Sequence, residues 1–209
     1  FNRWYPNLAR KIAARVGNSL TDDRDENTAI IRQASLEAVE AWPGEGEANT
    51  LRKTLLGLSV DCDFIFDLHC HGEAIQYIYF PENHWERYGD LAAELACRTV
   101  LLFPTDEGTN FDVASTVIWH HLRKSFPDRP IAEPPFTTTV ELRGQNDVGD
   151  DTALPDAEGL WRFMQRRGVI AGDPGEPPPL LCEPTPQSGS DDLVAPCAGV
   201  ISYRIAPGD

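Results

Sequence analysis

Apolar residues recur along this chain in two periods. Leu8, Ile12 and Val16 stand four apart and predict a helix over 8–16, stopped by Gly17. Ile30, Ala34, Ala38 and Ala41 mark a second helix, capped at Asn27 or Thr28 and halted by Pro43-Gly44. Leu51, Leu55 and Leu58 mark a third, capped at Asn49 or Thr50. The pattern then changes. Phe64-Ile65-Phe66 is continuously apolar and predicts a buried strand that breaks into polar groups from Asp67 onward. A second strand is expected over 74–80, with Ile75, Tyr77 and Tyr79 on one face. Beyond it the pattern predicts one amphipathic helix over 84–98, a short buried strand over 99–103, and a helix over 112–124 capped by Asp112. A β-branched strand over 136–142 and a helix over 155–167 follow.

Strands alternating with helices predict an α/β domain over 1–171, with helices packed on a mixed, largely parallel sheet. Residues 172–191 are rich in Pro, Gly and Ser and predict a linker or an extended crossover. Residues 192–209 return to short strands, at 193–196 and 200–205, and predict the start of a small β domain.

The hydrophobic share of 41% across 209 residues is enough to bury a core. The formal net charge of −15 opposes nucleic acid and anionic membrane as partners, but leaves room for a small anionic substrate held by a local arginine. No run of 18 apolar residues predicts a membrane span. The five cysteines are scattered without a Cys-x-x-Cys, which predicts reduced thiols and a cytoplasmic setting rather than a disulfide framework.

The candidate chemistry gathers after the first strand, in Asp67-Leu68-His69-Cys70-His71-Gly72-Glu73. A strand that runs out into ligating groups sets them at the edge where open α/β sheets bind ligands. His69 is the leading metal-ligand candidate, a neutral imidazole suited to zinc; the alternative is a hydrogen-bonded strand end. Asp67 either orients His69 or faces away. Glu73 is either a supporting group or surface, and the role of His71 is open. Glu141, at the far end of a buried strand, is either a general base or one half of a surface pair with Arg143. Asn2-Arg3 is a candidate carboxylate receptor, against a surface loop with an extended Arg. His120-His121 lie about 100° apart on a helix, poor geometry for one metal.

Three segments in order, Asn2-Arg3-Trp4-Tyr5-Pro6, Asp67-Leu68-His69 and Val140-Glu141-Leu142-Arg143-Gly144, resemble the succinylglutamate desuccinylase/aspartoacylase family. Ala195-Pro196-Cys197-Ala198-Gly199-Val200-Ile201 is similar to the start of that family's C-terminal β domain. The resemblance implies a zinc carboxypeptidase-like fold and a zinc-dependent deacylase acting on a small N-acyl amino acid; a homodimer is plausible for the family. A metallocarboxypeptidase, or a metal-free binding domain of the same fold, are the alternatives. It implies Glu141 as the general base, Asn2 and Arg3 as the carboxylate anchor, His69 as one zinc ligand, and Asp67, His71, Glu73 and Arg143 as surrounding groups. The other two ligands would come from an upstream His-x-x-Glu that this sequence does not carry. Phe1 falls inside a motif and Ala206-Pro207-Gly208-Asp209 form a turn that leads toward another strand. The sequence is therefore expected to be a piece of a longer protein, holding zinc weakly and inactive by itself.

Overall fold

The structure, a computed structural model, describes residues 2–106, 108–191 and 194–199. Among them, five strands form one mixed, mostly parallel sheet in the order β1-β4-β2-β3-β5, where β1 is Phe64–His71, β2 Tyr77–Pro81, β3 Thr99–Phe103, β4 Phe136–Gly144 and β5 Pro184–Pro186. β3 pairs in parallel with both β2 and β5, and β4 runs antiparallel to β2. Two compact units are interleaved along the chain. One runs up to Asp67 and adds Pro104–Thr138; the other comprises Leu68–Phe103 and the residues from Thr139 on.

The first unit is helical. α1 (Ala9–Val16) buries Ile12 and Val16 on the four-residue repeat seen in the sequence. α2 (Arg24–Glu40) starts earlier than expected, because Asp23 is its cap: the carboxylate accepts from the amides of Asp25 and Glu26. Asn27 is instead fully buried, its amide bonded to the carbonyls of Thr21 and Pro130. α3 (Glu47–Ser59) follows Gly46, whose φ of +81° lies in the left-handed region that glycine tolerates. The predicted helix over 112–124 is two pieces, α6 (Phe111–Ala114) and α7 (Thr116–Ser125), and Asp112 is buried within the first rather than capping it. Ile31, Leu56, Ile118 and Leu122 sit at the centre of this unit's core.

The second unit is built on β2, β3 and β5. Ile78 and Phe80 are fully buried, so Tyr77 and Tyr79 take the other face of β2. The single helix expected over 84–98 is broken at Gly89 into α4 (Trp85–Tyr88) and α5 (Asp90–Glu94). A side chain at Gly89 would come within 2.8 Å of the Trp85 carbonyl, so glycine is needed at the break. α8 (Asp150–Arg166) begins five residues before the expected Pro155, which is held inside the second turn. It packs on α5 so closely that a Cβ at Gly159 would stand 2.4 Å from the Glu94 carbonyl oxygen. The Glu94 side chain, with no exposed surface, is clasped there by Arg162 and Arg166 at 2.7 and 2.6 Å. The Pro-rich stretch supplies β5, which among the described residues lies at the end of the sheet, beside β3. The strands predicted over 193–196 and 200–205 fall wholly or partly outside the described residues.

Candidate active site

β4 carries an almost unbroken apolar and β-branched run and is buried from Phe136 through Glu141. Glu141 therefore brings a carboxylate into a largely dehydrated position, with 8% of its surface exposed. Antiparallel pairing sets it directly opposite Tyr77, with Thr139 opposite Tyr79, so these four side chains share one face. The Tyr77 phenol is pushed well above the ordinary tyrosine value, first by burial and then by the Glu141 charge that it faces. Oε2 of Glu141 is buried and has no hydrogen-bond partner among the described residues. A buried carboxylate with an open oxygen can take a proton from a bound molecule.

The expected Glu141–Arg143 pair does not form. Arg143 sits at φ +70°, which costs an L-residue roughly 1–2 kcal/mol and turns it away from strand alternation. Its guanidinium instead grips Asp156 of α8 with two bonds, 2.7 and 2.9 Å, and also reaches the Gln76 amide oxygen. Gln76 closes the ring by donating to Asp156 at 3.0 Å. Asp156 and Gln76 are buried, and the Asp156 contact raises the Arg143 guanidinium above its usual range. Gly144 completes the turn, its amide donating to Asp147 at 2.8 Å, where an added Cβ would crowd the Gly72 carbonyl at 3.2 Å.

β1 does not stop at Asp67. It runs on to His71, whose carbonyl accepts from the Gln145 amide at 2.7 Å. The two-residue period puts Asp67, His69 and His71 on one face of this strand. His69 is half-buried and lines a cavity of about 480 Å³ together with Arg143, Leu68, Leu142, Asp156 and Leu160. Glu141 is not on that wall. His71 and Glu73 are exposed. Within this unit, then, His69 and Arg143 come together at the cavity, while Glu141 is set against Tyr77.

The remaining candidates lie in the helical unit. Asn2 uses its side-chain oxygen and its carbonyl to accept from the Phe111 amide, at 3.2 and 3.0 Å. Arg3 is exposed, and its carbonyl accepts from Arg52 Nε at 2.7 Å. Trp4 follows at φ +72°, and Tyr5 is buried against Phe111 with ring centres 5.4 Å apart. Asp67 is close enough to raise the Tyr5 phenol, behind burial and against the opposing Arg52 charge. The Asn2 oxygens thus hold this segment onto α6, whereas an amide would bind a carboxylate through its N–H groups.

The sequence pattern missed Tyr77, Gln76 and Asp156. Tyr77 showed only as one face of a strand, since nothing in a single sequence names the strand across from it. Asp156 follows a proline that reads as a helix start, and its partner lies 13 residues away.

Zinc is not accommodated by these residues alone. His69 offers one imidazole, and among the described residues no three of His, Cys, Asp or Glu converge to hold a metal ion. No described helix is long and apolar enough to cross a membrane.

No family model and no curated protein sequence matches this chain. Several solved structures do. One is a provisionally assigned succinylglutamate desuccinylase/aspartoacylase from Shewanella frigidimarina NCIMB 400, with a TM-score of 0.76 and 24% identity over 100% of this chain. Another, a provisionally assigned member of the same family from Shewanella amazonensis SB2B, has a TM-score of 0.74 and 24% identity over 97% of this chain. The likeness establishes the fold. The chain spans 56% of the length of each of these structures.

Proposed function

We propose that these residues form part of a hydrolase that cleaves the amide bond of a small N-acyl amino acid, a deacylase in the sense of the names those two structures carry. The observation that carries the reading is Glu141: a buried carboxylate facing Tyr77 across the strand pair, with Oε2 unpartnered among the described residues. In this reading Glu141 removes a proton from the water that attacks the acyl carbonyl and returns it to the leaving amine nitrogen. Asn2 and Arg3, in the helical unit, are offered as the carboxylate anchor of the whole protein; within that unit the Arg3 carbonyl accepts from Arg52 and the Asn2 oxygens accept from the Phe111 amide. His69 is offered as one zinc ligand of the whole protein, the others coming from outside these residues.

The test uses the full-length protein and a panel of N-acetyl and N-succinyl amino acids. Glu141→Gln is expected to lower kcat by about 10²- to 10⁴-fold. Undiminished hydrolysis in that variant removes Glu141 from the chemistry. Release of a C-terminal residue from peptides, with no acetate or succinate formed, replaces the deacylase with a carboxypeptidase.

A further inference from the structure

We propose that Tyr77 is a positioning residue for Glu141: from the facing strand its hydroxyl holds carboxylate oxygen Oε1, leaving Oε2 as the oxygen that handles the proton. The inference rests on the deacylase reading for its consequence, but its geometry stands by itself. Tyr77 and Glu141 are direct cross-strand partners, the placement in which side chains on one face meet most closely. The phenol faces the carboxylate across the strand pair, and Oε2 has no partner among the described residues, which leaves Oε1 as the oxygen for the phenol to hold. Tyr79, two residues along the same face, packs edge-on against Tyr77 with ring centres 5.5 Å apart. Burial of Glu141 makes the arrangement consequential: in a site with little water, a carboxylate left to rotate would offer either oxygen in many orientations, and a donor on one of them removes that freedom.

Tyr77 itself remains protonated throughout. Its phenol is pushed above its ordinary value by burial and by the neighbouring charge, so it donates to the carboxylate and does not exchange a proton with substrate. It thus acts through Glu141 and has no direct part in bond making.

Two measurements on the full-length protein decide the matter. The first needs no activity. With tyrosine labelled by ¹³C at Cζ, the Tyr77 resonance, assigned by its loss in Tyr77→Phe, is expected to move in Glu141→Ala while that of Tyr88 stays. A Tyr77 resonance indifferent to Glu141→Ala overturns the inference. The second is kinetic. Tyr77→Phe is expected to lower kcat about tenfold to a hundredfold with KM within about twofold, and to cost nothing further in a Glu141→Gln background. Losses that multiply independently overturn it, because a tyrosine that merely fills space weakens both proteins alike. If the wild-type protein hydrolyses no N-acyl amino acid, the deacylase reading falls, and the Tyr77 resonance alone decides whether this side chain holds the carboxylate.

Discussion

Asp156→Ala probes the clamp at the end of β4. The mutation leaves the Arg143 guanidinium, 25% exposed, facing only Gln76, where it had been bonded twice to a carboxylate 11% exposed. Breaking a largely buried pair from one side costs about 3–5 kcal/mol, and the partial exposure of Arg143 argues for the lower end. Alanine is the better helix former by roughly 0.5 kcal/mol, so a net loss of about 2.5 kcal/mol is expected. At about 2–4 °C per kcal/mol for a chain of this size, Tm falls by about 5–10 °C in scanning calorimetry. The decisive comparison is with Arg143→Met. Without the buried charge there is nothing to strand, and Asp156→Ala should then cost less than about 1 kcal/mol. Asp22→Ala, which removes an ion pair whose carboxylate is 94% exposed, serves as a control and leaves Tm unchanged. If the Asp156 and Arg143 losses add within about 0.5 kcal/mol, the two residues are not coupled and the clamp does not exist.

Three further outcomes follow from packing and titration. Gly159→Ala, which in an open helix would stabilise by about 1 kcal/mol, is expected to destabilise by about 1–3 kcal/mol, because its Cβ meets the Glu94 backbone; a gain in urea midpoint refutes the close packing of α5 on α8. His120, bonded to Thr105 Oγ1 at 3.0 Å, is held below its ordinary 6.5 by burial, against the pull of Asp106. A depressed folded value means that the unfolded chain binds the proton first, so this contribution is whole above about 6.5 and is lost on acidification. The urea midpoint should therefore fall from pH 7 to 5, and His120→Gln should flatten part of that fall. Cys97 is fully buried and its thiol is pushed up to about 12, chiefly by burial and then by Cys182, so iodoacetamide at pH 8 should label exposed Cys70 and spare Cys97 until the protein unfolds. Equal labelling by mass spectrometry would sink that expectation.

Periodicity carried most of the framework. α1 and β3 lie where the four-residue and continuous apolar patterns put them, because each buries its own repeat. What the pattern could not carry was local chemistry settled by distant partners. Asn27 has the composition of a cap, yet it is drawn inside by the Pro130 carbonyl, 103 residues on, and Asp23 takes its place. The polar run after Asp67 reads as loop, yet it stays extended because Gln145 bonds to His71. At the candidate site, Glu141 was legible as an acid at the end of a buried strand. The face it shares with Tyr77 was not, since strand order and direction leave no trace in one sequence. Arg143 was legible as a charge beside it, with a Glu141 pair as one alternative; its grip on Asp156 was not legible, because a positive φ at a non-glycine residue has no signature of its own.

One last consequence lies at the far margin of the sheet. β5 reads Pro-Thr-Pro, in register with Val100, Leu101 and Leu102 of β3. Neither proline carries an amide hydrogen, so this border, the outer one among the described residues, offers at most a single donor, that of Thr185, to any further extended segment. A sheet bordered in this way resists recruiting stray chains and growing by addition, a safeguard against fibril-like association that is written into two ring-closed residues.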